Sequence, residues 1–206
     1  MRTQGVDNEK THKVFLYKIN INEIKEDEET LLLNIAPHYA RKYEKCKVYS
    51  SKMHELGAGS LLAKYLNITK DEQLFFNEYG KPMLKGINKE FSLSHSGDYV
   101  VLAISDIPVG VDIERIDRVD LRVLERVLPP AYYEKIKNDD SVANNAKELT
   151  KCWTSVEAIL KARGEGFYID PRADEKFMEG WFIENKKVED DYMISIALAE
   201  PFELQM

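Results

Sequence analysis

The 206-residue chain predicts a mixed α+β fold in two halves. Three observations predict it. Runs rich in β-branched and aromatic residues recur at 13–21, 73–76, 99–104, 109–114, 180–185 and 192–198. Helical periodicity marks 37–66, 121–128 and 147–163 between them. The resulting order, β-α-α-β-turn-β-β-α-α-β-β, divides near 105–108, although no close internal repeat is visible in the residues themselves. On that division 1–11 is a polar tail, 12–106 an N-terminal subdomain and 107–206 a C-terminal one carrying the acidic motifs.

Each element has a local reason. Residues 13–21 (KVFLYKINI) form the first strand, and 23–30 is an acidic stretch. Pro37 suits the first turn of a helix to about Val48, where its missing N–H leaves nothing unbonded. Ser50 or Ser51 then caps a second helix to about Leu66. Gly57 and Gly59 inside it cost about 1 kcal/mol each relative to Ala, which suits either close approach of a backbone or ligand, or an inserted loop. Asn77-Glu-Tyr-Gly-Lys-Pro82 is turn chemistry with Lys81 at its tip. Phe91-Ser-Leu-Ser-His-Ser-Gly97 gathers hydroxyls, a histidine and a glycine before the next strand, as a set of anion donors, unless His95 is a satisfied structural histidine. Leu121, Leu124, Val127 and Leu128 make a helical stripe that Pro129-Pro130 breaks, and 138–145 is a polar connector. In the helix over 147–163, Trp153, Val156 and Leu160 face the core, while Glu157 and Lys161 sit one turn apart as a surface ion pair or something more. Gly164-Glu-Gly166 ends it, and 180–198 closes the chain as a β-hairpin.

The net charge of −7 argues against broad nucleic-acid binding, and no apolar run reaches a membrane span, so the expectation is a cytoplasmic protein without nucleic-acid or membrane partners. Cys46 and Cys152 form no C-x-x-C pair and are expected as free thiols. The chemically informative stretch is Val109-Gly-Val-Asp-Ile-Glu114. Its period-two alternation is that of a half-buried strand, which places Asp112 and Glu114 on one face, about 7 Å apart. Such a pair is either a solvated face or a seat for a hard cation such as Mg²⁺. With Glu157 as third carboxylate or general base and Lys161 as phosphate clamp, the inventory is that of phosphoryl-type transfer.

Four blocks in order, Tyr79-Gly-Lys-Pro82, Phe91-Ser-Leu-Ser-His-Ser96, Gly110-Val-Asp-Ile-Glu114 and Trp153-x3-Glu157-Ala-x2-Lys161-x2-Gly164-x-Gly166, resemble the 4′-phosphopantetheinyl transferases of the two-subdomain, surfactin-synthetase-activating type. The resemblance covers roughly 14–198. It implies a pseudo-twofold α+β fold, two similar α/β subdomains packed face to face, with coenzyme A in the cleft between them. It also implies transfer of the phosphopantetheine arm to a serine of an acyl or peptidyl carrier protein, releasing adenosine 3′,5′-bisphosphate. In that picture Asp112, Glu114 and Glu157 hold Mg²⁺, and Glu157 deprotonates the serine. Ser94, His95 and Lys161 contact phosphate oxygens, with His95 and Lys161 counted as catalytic, and Lys81 with Pro82 lies at the adenine end. Two positions depart from the family pattern. Val156 stands where many relatives carry lysine, and His54, with Lys52 nearby, where relatives commonly carry an arginine that grips the 3′-phosphate. They motivate a second reading, a relative that binds coenzyme A or carrier protein with weak or lost transfer. Leu121, Val123 and Leu124 offer a carrier-docking surface unless their stripe is core, and a monomer is expected.

Overall fold

In the computed structural model, residues 11–189 and 191–206 are described; of the polar tail only Thr11 falls among them. The architecture is mixed α+β. Strand β1 (His12–Asn20) alternates buried and accessible positions, as its sequence predicts. The acidic stretch conceals a helix, α1 (Glu28–Asn34), started by Asp27, whose carboxylate accepts from Thr30 N–H. Pro37 opens α2 (Pro37–Lys45). Helix α3 (Tyr49–Leu66) starts after Val48 with no side-chain cap, so neither Ser50 nor Ser51 is its N-cap. Gly57 and Gly59 do lie inside α3, but core side chains approach them, Val100 and Ile19 at one and Ile35 and Tyr39 at the other.

Strands β2 (Leu74–Phe76) and β3 (Pro82–Leu84) make a small hairpin across the expected turn. The hydroxyl-rich block is itself a strand, β4 (Glu90–Ser96), antiparallel to β5 (Tyr99–Ser105). All seven residues of β4 pair with β5, so the block that reads as anion donors ahead of a strand is part of the sheet. The acidic strand is β6 (Gly110–Arg115), buried on both faces through Ile113 rather than half-buried. Three helices follow, α4 (Leu121–Glu125), α5 (Pro130–Lys137) and α6 (Asp140–Ala143), the last inside the expected connector and capped by Asp139. Leu124 and Leu128 are core, with Leu121 and Val123 packed partly buried beside them. The long helix α7 (Ala146–Arg163) ends on Gly164 in the left-handed conformation. The hairpin β7 (Phe182–Val188) and β8 (Tyr192–Leu198) follows, and then β9 (Phe202–Gln205), which the sequence reading lacked.

Two main sheets result, in the orders β4-β5-β1-β9 and β6-β8-β7. The chain's last strand therefore returns to the first sheet, pairing parallel with β1. One apolar cluster packs α3 on the first sheet and another packs α7 on the second, while a third, including Val14, Val101, Val111 and Ile194, fills the space between sheets. The edges β4 and β6 meet without a backbone ladder. Ser92 and Ser94 hydroxyls instead accept from Val111 and Ile113 N–H at 3.0 and 3.3 Å, and Ser96 donates to the Glu114 carboxylate. The ascending order of partners shows the two edges running in the same direction.

Two contacts fix how the layers meet. At Gly110, a Cβ would fall 1.8 Å from Ala158 O, so α7 rests directly on β6. Buried His12 bridges Asp106 at 2.7 Å and Glu200 at 3.1 Å, tying β1 to the connections before β6 and β9. Both ring nitrogens can donate only in the imidazolium, and the Asp106 hydrogen bond chiefly holds the ring's pKa above its ordinary value.

Gly110→Ala is expected to lower stability by about 3 kcal/mol or more, a thermal midpoint drop of roughly 6–12 °C; an unchanged midpoint would refute the direct helix-on-strand contact. For His12 the raised native pKa gives stability that is complete below the unfolded value of 6.5 and lost as pH rises through the native one. Denaturant unfolding of the wild type against His12→Gln should show the difference shrinking as pH rises above 6.5.

Candidate active site

The site lies where β4, β6 and α7 converge. Because Asp112 and Glu114 alternate with Val111 and Ile113, both face α7 while the valine and isoleucine face the inter-sheet core. Asp112 is 6% exposed and its Oδ1 accepts from Ser94 Oγ and from Lys161 Nζ, both at 2.7 Å. Lys161 Nζ also reaches Ser94 Oγ at 2.9 Å, so these three residues form a closed triangle. The lysine expected to pair with Glu157 on its own helix is drawn instead to the buried carboxylate, where a charged hydrogen bond is worth more than a solvated i,i+4 contact. Glu114 is held by Ser96, by Arg115 N–H at 2.8 Å and, at 3.8 Å, by Arg118.

Glu157 completes this group. Burial, opposed by Lys161 and reinforced by Asp112 and Glu114, pushes its pKa up to about 7. Among the described residues no hydrogen-bond donor serves its carboxylate, and it lines a depression of about 350 Å³ with Asp112, Glu114, Lys161 and Trp153. Three neighbouring acids, one with its ionisation suppressed chiefly by burial and further by the other two, fit a divalent cation that would supply the missing positive charge. As they stand, no three His, Cys, Asp or Glu side chains among the described residues form a ready-made metal cluster, since Asp112 is turned to Lys161.

His95 and Ser94, neighbours on β4, point to opposite faces. His95 keeps a solvent-accessible edge and stacks on His54 at 4.4 Å between centroids; lost hydration, then His54 and Lys161, lower its pKa below the ordinary value. Ser94, His95, Leu93 and Lys161 line both the depression and an adjoining cavity of about 360 Å³, so the two are continuous. Lys81 and Pro82 line this second cavity, but Lys81 Nζ is spent on Lys161 O at 2.7 Å, where it caps the C-terminal end of α7, and burial lowers its pKa. Asn77 aids it by donating to Gly164 O at 2.7 Å.

Lys52 and His54 do not line either space. Lys52 lies over the Tyr43 ring and His54 Nε2 meets Gly97 O at 2.7 Å. Val156 is 0% exposed, part of the core beneath α7. The sequence reading missed Lys42 and Glu55, which pair at 2.7 Å in the cavity wall; only their membership of consecutive helices placed them near one another. The second cysteine, Cys152, is a partly buried free thiol whose pKa burial raises to about 11, so it takes no part.

Comparison with known proteins agrees with the resemblance read in the sequence. Residues 108–191 match the model of the 4′-phosphopantetheinyl transferase superfamily. The 4′-phosphopantetheinyl transferase gsp of Aneurinibacillus migulanus is 39% identical over 124 residues, 59% of this chain and 51% of that protein. The transferase psf-1 of Bacillus pumilus is 38% identical over 98 residues, 46% of this chain and 42% of its own. The transferase Sfp of Bacillus subtilis strain 168 is 27% identical over 154 residues, 68% of this chain and 65% of its own. The aligned parts thus span about half the length of the first two relatives. Similarity to this superfamily is borne out, most strongly over the segment that carries β6 and α7.

The Asp112–Lys161 contact makes a sharp prediction. Lys161→Met should lower unfolding free energy by about 3 kcal/mol by stranding a buried carboxylate. Asp112→Asn should recover part of that loss, giving a coupling of about 1.5–3 kcal/mol in a double-mutant cycle. Additive losses would remove the triangle from the account.

Proposed function

We propose that this chain is a 4′-phosphopantetheinyl transferase, moving the phosphopantetheine arm of coenzyme A onto a serine of an acyl or peptidyl carrier protein and releasing adenosine 3′,5′-bisphosphate. The observation that carries this reading is the convergence of Asp112, Glu114, Glu157 and Lys161 on one depression, with no hydrogen-bond donor among the described residues on the Glu157 carboxylate. A carboxylate with no donor of its own is free to accept the proton of a hydroxyl. The superfamily match over 108–191 supports the same reading.

In this reading Glu157 takes the proton from the carrier serine, and Lys161 and His95 face the pyrophosphate oxygens, with Ser94 orienting Lys161. Mg²⁺, held by Asp112, Glu114 and Glu157, would neutralise pyrophosphate charge as the leaving group departs. Lys81 and Pro82 shape the nucleotide end, with Lys81 acting by closing α7 rather than by touching the ligand. Lys52 and His54 support that wall from behind, through Tyr43 and His95. The proposed organisation is two similar subdomains, 12–106 and 107–206 after the tail 1–11, related by a pseudo-twofold. The packing of α3 and α7 on separate sheets supports it, with β9 crossing back as a strap. A cytoplasmic monomer fits the net charge of −7 and the lack, among the described residues, of any helix long and apolar enough to cross a membrane.

Incubation of coenzyme A, Mg²⁺ and a purified apo carrier protein should add the mass of one phosphopantetheine to the carrier, and Glu157→Gln should reduce the rate by about 10²-fold or more. Coenzyme A binding without transfer to any of several carriers would instead make the chain a binding relative.

A further inference from the structure

On the face of α7 opposite Glu157 and Lys161 lies a separate cavity of about 430 Å³, reached from α5, α6 and β7. It shares no lining residue with the two spaces beside Glu157, and its size is that of a small-molecule site. Ile136, Met178 and Ile183 give it apolar walls. Its polar groups divide by whether they are already bonded. The acceptors are taken: Asp139 receives the Ser141 N–H and O–H at 3.0 and 2.6 Å, and Glu148 pairs with Lys151 at 3.4 Å. Asn185 Oδ1 receives the Ser155 and Ser195 hydroxyls at 3.1 and 2.7 Å. The donors are not. Among the described residues the Asn185 amide N–H groups and the Tyr132 hydroxyl have no hydrogen-bond partner, and Lys135 has no partner at all. Burial raises the Tyr132 pKa, so its O–H stays a donor. Asn185 is also held in place, since it pairs with Ser195 across β7 and β8, and buried Ser195 is bonded in turn to Thr154 at 2.6 Å.

We propose that this cavity binds a small monocarboxylate with a hydrocarbon body, its carboxylate met by the Asn185 amide, the Tyr132 hydroxyl and the Lys135 ammonium. Unspent donors call for an acceptor, and the unpaired ammonium makes a charged acceptor the better one. A ligand of two or more negative charges would meet Asp139 and Glu148 in the same wall, which disfavours a phosphate. A cation would find no acceptor free. The apolar walls take the hydrocarbon out of water. The proposal stands apart from the transferase reading, because none of these residues is used there.

Titration of the full chain with octanoate, followed at the Asn185 side-chain amide in proton–nitrogen correlation spectra, tests it. The amide signals should shift saturably with a Kd of about 1 mM or below, and octanamide, the uncharged counterpart, should bind about tenfold more weakly. Lys135→Met, on an exposed helix face, should weaken octanoate by about tenfold and leave octanamide within about twofold. Asn185→Asp keeps the oxygen that both serines donate to but replaces the amide donors with a negative charge, and it should abolish octanoate binding in calorimetry. Asn185 signals that do not move up to about 10 mM octanoate, equal affinity for octanamide, or unchanged octanoate binding by Lys135→Met would overturn the proposal.

Discussion

The edges of two sheets meet along β4 and β6, and the join is made by serine hydroxyls instead of a ladder. Val111 and Ile113 N–H groups are buried, and buried donors need acceptors. Their β8 neighbours serve the opposite edge of the strand. Ser92 and Ser94 serve this one, with a small hydroxyl at every second position of β4. Larger residues at those positions would push the edges apart, and alanines would leave the amides without partners.

The placement of the acids follows from that join. With Val111 and Ile113 committed to the inter-sheet core, Asp112 and Glu114 are turned toward α7, and Gly110 lets the helix backbone come close enough for Lys161 to reach Asp112. Ser94 belongs to both systems: its oxygen receives the Ile113 amide and the Lys161 ammonium, and its proton goes to Asp112. A structural seam and a charge triangle thus share one hydroxyl. Glu157, one turn before Lys161, inherits its desolvated position from the same packing, and from that its raised pKa.

The second half of the chain was the more legible in its sequence. Period-two alternation located β6, helical spacing located α7, and Gly164 marked its end, because each signal is local. Partners distant in sequence were not legible. Ser92, Ser94 and Ser96 read as donors to an anion until the matching edge of β6 gives their hydroxyls a structural use. Lys161 looked like the partner of Glu157 because spacing knows only its own helix, whereas a buried carboxylate across the gap binds it more strongly. The parallel strand β9 is four residues long and is stabilised by β1, nearly two hundred residues away. Glu55 was passed over because nothing in its own stretch reveals that Lys42 from the preceding helix pairs with it in a cavity wall.

The central claim is that serine hydroxyls hold the acidic strand in place, and native-state hydrogen exchange of the Val111 and Ile113 amides tests it most directly. Both amides should exchange as slowly as core-strand amides in the wild type. Ser94→Ala should speed Ile113 far more than Val111, and Ser92→Ala should do the reverse. Fast exchange at both positions in the wild type, or no selective change in either variant, would contradict the account.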